Sequence, residues 1–109
     1  MAYAIRIVKL YNYLTEQKSE YVLSKQLLRS GTSIGANTRE SKNAQSKNDF
    51  INKLNIALKE ADETEYWLEL LYKTDYLAEK EYWSIQNDTK EIIKILTSII
   101  KKLKADVDK

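Results

Sequence analysis

Both glycines of this 109-residue chain lie four residues apart, in Gln26-Leu-Leu-Arg-Ser-Gly-Thr-Ser-Ile-Gly-Ala-Asn-Thr-Arg-Glu40, and the chain has no proline. A sequence with so little punctuation has few ways to make tight turns or protect sheet edges, so it reads as all-α. The block itself is flanked by amphipathic helical pattern. A glycine inside a helix costs about 1 kcal/mol relative to alanine, which close approach of a neighbour can offset. Ser24, Leu28, Gly31, Gly35, Thr38 and Lys42 form a row that is small and flat at its centre. Gly31 and Gly35 are therefore the candidate close-packing positions.

Apolar spacing predicts four helices, at about 2–16, 20–45, 47–74 and 79–104, in one domain spanning 1–109. The first carries the stripe Ala4, Ile7, Val8, Tyr11 and Leu14. Ser46 with Asp49 reads as an N-cap opening the third helix. Its seam is Phe50, Leu54, Ala57, Ala61, Thr64, Leu68 and Leu71, and the fourth helix repeats the pattern in Tyr82, Ile85, Thr89, Ile92, Leu96, Ile99 and Leu103. Short connections and 3.5-residue seams predict an up-down-up-down antiparallel four-helix bundle. Ala105 to Lys109 are expected to fray. Ile93 and Ile100 flank the fourth seam, and Trp67 and Leu70 lie off the third. That excess of apolar surface favours a homo-oligomer over a monomer.

Function classes narrow by exclusion. Cysteine and histidine are both absent, which removes thiolate nucleophiles, the commonest general base and the usual zinc sets. Paired carboxylates such as Glu60 and Glu63 lack the histidines of a di-iron site. No catalytic residue, metal or cofactor is expected. No run of about 20 apolar residues occurs, so no membrane partner is expected and the location is read as cytoplasmic.

The net charge of +2 conceals a gradient. Residues 1–59 carry ten Lys/Arg against four Asp/Glu, whereas residues 60–81 carry two against eight. On a helical wheel Lys25, Arg29 and Arg39 share a sector, and Lys47 follows in sequence. Such cations could track a phosphate backbone of RNA or DNA, or simply solvate an outer face. Six aromatic residues (Tyr66, Trp67, Tyr72, Tyr76, Tyr82 and Trp83) cluster around the third-to-fourth helix turn, in or beside the acidic stretch. They read as core packing or as anchors of a protein interface.

Three stretches together resemble one family. They are Tyr21-Val-Leu-Ser-Lys-Gln-Leu-Leu-Arg-Ser-Gly-Thr-Ser-Ile-Gly-Ala-Asn-Thr-Arg-Glu-Ser41, Ser46-Lys-Asn-Asp-Phe-Ile-Asn-Lys-Leu-Asn-Ile-Ala-Leu-Lys-Glu-Ala61 and Glu63-Thr-Glu-Tyr-Trp-Leu-Glu-Leu-Leu71. The family is that of four-helix-bundle proteins encoded in intervening sequences of bacterial 23S rRNA genes, also called S23 ribosomal proteins. The resemblance spans roughly residues 3–104. It implies a left-handed bundle that assembles as a ring, typically a homopentamer, without established enzymatic activity. It also implies kinship with the accessory subunit of diversity-generating retroelements, a basic barrel that binds a reverse transcriptase and nucleic acid. A partner protein encoded by such an element is thus a further expectation, and the modest +2 charge here is weaker than that of those subunits. The resemblance assigns Asn37, Arg39, Glu60, Glu63 and Trp67 to a shared polar network or oligomer interface. For sequence-independent nucleic-acid contact the candidates are Lys25, Arg29, Arg39, Lys42 and Lys47.

Overall fold

In the computed structural model, which describes residues 1–107, four helices follow one another: α1 (Ala2–Glu16), α2 (Leu23–Ser41), α3 (Lys47–Lys73) and α4 (Glu79–Val107). Each packs on its sequence neighbour, and α1 also reaches α4, where the Tyr3 hydroxyl meets Thr89 Oγ1 at 2.6 Å. The result is an antiparallel four-helix bundle in a rod 51 Å long and about 20 Å across. α4 continues through Ala105 to Val107, where fraying was expected, and the last two positions of that expectation, Asp108 and Lys109, lie outside the described residues.

Two local features set the boundaries. α3 starts as its cap predicts, with the Ser46 hydroxyl accepting from Asp49 N–H at 3.0 Å. α2 starts three residues later than the pattern suggests. Ser19 adopts a left-handed backbone, with φ at 51°, and turns the chain so that the Glu20 carboxylate folds over the helix end. It accepts from the N–H groups of Val22, Leu23 and Ser24 at 3.1, 2.8 and 2.6 Å. Three donors that would otherwise lack intrahelical partners are satisfied by one buried side chain. α2 also ends earlier, at Ser41, because Lys42, Asn43 and Ala44 N–H bond back three residues in a tightened last turn.

The core divides along the rod. At one end, here the closed end, Ile7, Leu14, Leu27, Leu68, Leu71, Leu77, Tyr82 and Ile85 bring all four helices together. At the other, the open end, the buried set is Ile34, Ile51, Leu54, Ala57, Ala61, Leu96 and Ile100, all from α2, α3 and α4. The reason is length. At 1.5 Å per residue the 15 residues of α1 span about 22 Å and the 29 of α4 about 43 Å. α1, which begins at Ala2, meets α4 near Thr89, and among the described residues no fourth helix covers α4 beyond that point.

That shortfall alters two seams. The third seam is buried as read from Leu54 to Leu71, with Phe50 half-buried. The fourth holds through Tyr82, Ile85, Thr89 and Leu96, then shifts: Ile99 is 40% exposed and Ile100 is buried. A 3.6-residue helix drifts relative to a strict heptad, and only the side facing α2 and α3 is covered there. In α1, Ile7 and Leu14 are buried, but Val8 faces solvent.

Candidate interaction surfaces

Of the basic stripe, the structure divides what the helical wheel grouped. Arg29 is committed to α3. Its guanidinium donates to Glu60 Oε2 at 3.1 Å and also pairs with Glu63. Glu63 in turn accepts from the indole N–H of Trp67 at 3.3 Å. Beside this cluster the Ser30 and Thr64 hydroxyls meet at 2.9 Å inside the α2–α3 seam. The polar network expected around Glu60, Glu63 and Trp67 is thus built by Arg29, and Arg39 lies outside it. Asn37 also lies outside, its amide donating to Ser33 O within α2. Arg29 and Arg39 are ten residues apart, or about 15 Å along the helix, so the two cannot serve one pair of carboxylates.

Lys25, Arg39, Lys42 and Lys47 are exposed. Among the described residues no carboxylate oxygen lies within 4 Å of any of the four. Lys25 and Arg39 are about 21 Å apart along α2, and between them Arg29 is offset by two carboxylates. The stripe is therefore interrupted rather than continuous.

The two glycines have different surroundings. A Cβ on Gly31 would meet Ile7 Cγ2 at 2.8 Å and Cγ1 at 2.9 Å, so Gly31 is where α1 presses its buried, β-branched Ile7 into α2. A Cβ on Gly35 would meet nothing within 4 Å. Gly35 instead forms part of a groove of about 800 Å³ that continues the line of α1 along the open end. Its walls include Ile34, Gly35 and Ala36 of α2 and Ile92, Ile95 and Leu96 of α4, with Tyr3 closing one end. Arg39 and Lys42 also line it, as does Glu40, whose carboxylate pairs with Lys53 at 3.2 Å. The signal for this groove was present in the helix lengths, since α1 spans half the residues of α4.

The aromatic cluster is mainly structural. Tyr72 and Tyr82 stack with centroids 4.2 Å apart and planes 5° from parallel, and Tyr82 is buried. Trp83 sits edge-on to Tyr82 and remains partly exposed, as does Tyr66 beside Trp67. Half of the acidic side chains of residues 60–81 are paired: Glu60 and Glu63 with Arg29, Glu65 with Lys90 and Glu69 with Lys73. A second cleft, between α1 and α4, includes Arg6, but Arg6 is held by Asp88 and by Ser84 Oγ at 2.9 Å.

Electrostatic perturbations fall on structural groups. Burial is the largest influence on Glu20 and pushes its carboxyl up, but the backbone N–H groups of Leu23, Ser24 and Val22 together bring it below the usual carboxylate range. Burial pushes the Tyr3 hydroxyl up to about 12, against the smaller opposing effect of its bond to Thr89. Burial also raises Asp62, helped by the neighbouring charge of Glu65. Among the described residues no group of three or more His, Cys, Asp or Glu is placed to hold a metal ion. No described helix is long and apolar enough to cross a membrane.

Comparison with known proteins agrees with this architecture. A solved structure of a protein of unknown function from the S23 ribosomal protein family, from Bacteroides thetaiotaomicron, is 64% identical, with a TM-score of 0.91, over 92% of this chain and 93% of its own. No curated protein matches the chain. The model of the 23S rRNA-intervening sequence protein family matches residues 1–98. With nearly its whole length matched and all four helices in place, this chain belongs to the 23S rRNA-intervening sequence protein family.

Proposed function

We propose that the protein is a non-enzymatic assembly module that associates with copies of itself, as the homopentameric ring implied by its family resemblance. The observation that carries this reading is the placement of exposed apolar side chains on two opposite corners of the bundle. Ile5 and Val8 project from α1 and Ile56 and Tyr66 from α3, besides Trp83, Ile95 and Ile99 on α4. α1 and α3 each pack on α2 and α4, so they are diagonal to one another. Two unlike patches facing opposite ways favour a head-to-tail contact, which closes into a ring when the rotation per subunit permits. The Arg29–Glu60–Glu63–Trp67 cluster lies beside the α3 patch and would set its polar rim.

Light scattering tests this directly. The expected particle is a multiple of 12.8 kDa, five-fold for the ring, and Ile5→Lys with Val8→Lys should return it to one subunit. A wild-type particle of 12.8 kDa would end the reading.

A second reading, weak sequence-independent binding of RNA or DNA, rests on Lys25, Arg39, Lys42 and Lys47, four exposed cations with no carboxylate within 4 Å among the described residues. Nothing about them reads base edges, so phosphate would be the ligand. With about four phosphate contacts, binding should fall by more than tenfold between 50 and 200 mM salt. Reversing all four to Glu should abolish it, while Arg29→Glu should have no greater effect on binding than its effect on folding.

A further inference from the structure

We infer that the open-end groove is a docking site for an acidic amphipathic helix of another protein, laid between α2 and α4 beyond Tyr3. Three observations converge on that occupant. The first is shape. The wall formed by α2 and its last turn runs from Gly31 to Asn43, about 18 Å, and among the described residues no fourth helix lies along it beyond Tyr3 of α1. The length suits a helix of three to four turns, and the recess is elongated and open to solvent.

The second is the surface inside it. Ile92 and Ile95 line it from α4, and Ile95 is 48% exposed although the adjacent Leu96 is a core residue. Opposite them, Gly35 and Ala36 present almost no side chain. Gly35 has a negative φ and no internal neighbour, so nothing inside the subunit requires a glycine there. A helix seated in the groove would require it, because a flat row lets two helix backbones approach closely. This is helix-in-groove recognition, with apolar anchors at i, i+3, i+4 and i+7.

The third is charge. Arg39 and Lys42 line the groove, and no carboxylate lies within 4 Å of either among the described residues. Segments 39–53 and 90–107, which build the open end, carry nine Lys/Arg against four Asp/Glu. Two open ends would therefore repel each other, which disfavours a second copy docked groove to groove. Apolar walls likewise disfavour a phosphate backbone. An acidic helix satisfies both features: apolar side chains to the floor, carboxylates to the two cations. This inference concerns a different surface from the one proposed for ring assembly.

The test uses the full chain and two fluorescent peptides of about 14 residues, long enough for the slot. Both carry leucine at i, i+3, i+4 and i+7, one with glutamate and one with lysine at the flanking positions. Anisotropy should show saturable binding of the acidic peptide and at least about tenfold weaker binding of the basic one, equivalent to about 1.4 kcal/mol. Gly35→Phe, which fills open space, should weaken the acidic peptide by at least about tenfold while circular dichroism stays unchanged. Arg39→Glu with Lys42→Glu should invert the peptide preference. Equal binding of the two peptides, no binding up to about 100 μM, or indifference to Gly35→Phe would overturn the inference.

Three outcomes separate it from the readings above. If Gly35→Phe dissolves the oligomer, the groove belongs to a second copy: ring assembly stands and the foreign helix falls. If wild type is a monomer that still binds the acidic peptide as described, assembly falls and the docking site stands. Loss of RNA binding in the Arg39/Lys42 reversal, with no acidic-peptide binding by wild type, assigns those cations to phosphate and overturns the docking site.

Discussion

The closed and open ends are built from the same kind of residue and differ in how many helices cover them. At the closed end Ile7, Leu14, Leu27, Leu68 and Leu71 are fully buried by four helices. At the open end Leu96 and Ile100 are buried while Ile95 and Ile99, one residue away from each, face solvent. Isoleucines in an uncovered stripe contribute little to folding, since the hydrophobic gain follows the area removed from water. They remain available to a partner. The lesson is that the number of covering helices, rather than residue type, decides how much an apolar side chain contributes to a helical bundle.

The largest expected effect separates the two glycines. Gly31→Leu drives a side chain into Ile7 at the closed end and should destabilise by about 3 kcal/mol. Gly35→Leu meets open space and replaces a poor helix former, so it should stabilise by about 0.5–1 kcal/mol. Urea titration of both variants reads the difference; equal effects would break the distinction between the ends.

Next in size are matched core truncations. Leu68→Ala, fully buried under four helices, should cost about 3–4 kcal/mol, and Leu96→Ala, beside the groove, about 2 kcal/mol. A reversed order would mean the open end is the better packed. Smaller again is the α2–α3 clamp. Arg29→Ala leaves Glu60, whose side chain is only 16% exposed, and Glu63 without a cation, and should lower stability by about 1 kcal/mol. Arg39→Ala, which removes no ion pair, should change it by less than about 0.5 kcal/mol.

The smallest effect is set by pH. The Glu20 carboxyl titrates below its unfolded value, so it contributes stability at neutral pH that is lost as the pH falls through its folded pKa. Thermal melts from pH 7 downward should therefore show a steeper fall for wild type than for Glu20→Gln. Parallel curves would remove the cap from the account of the α1–α2 turn. Tyr3 acts in the opposite direction. Its hydroxyl is pushed from 10 to about 12, so its contribution is complete below pH 10 and is lost as pH rises through 12.

The fold was legible because apolar period alone carries it: Leu54, Ala57, Ala61, Thr64, Leu68 and Leu71 are buried in the order their spacing suggests. The Ser46 cap was legible because it is local. Glu20 was missed because a glutamate folding back over a helix start resembles, in sequence, an ordinary first-turn acid. The cation partner of Glu60 and Glu63 was also out of reach. A wheel places Arg29 and Arg39 on one face of α2, but only the register between α2 and α3 decides which one meets the carboxylates. Gly31 and Gly35 looked equivalent for the same reason. Their difference depends on where α1 begins relative to α2, a tertiary fact only hinted at by its 15 residues.

Amide hydrogen exchange along α4 bears most directly on the contrast between the two ends, because both lie on one continuous helix. Local opening requires less free energy where fewer apolar contacts cover the backbone. The expected result is strong protection over residues 82–90, beneath α1, and markedly faster exchange over residues 92–103. Uniform protection along α4, or slower exchange beyond residue 92 in the protein without a partner, would contradict an uncovered open end.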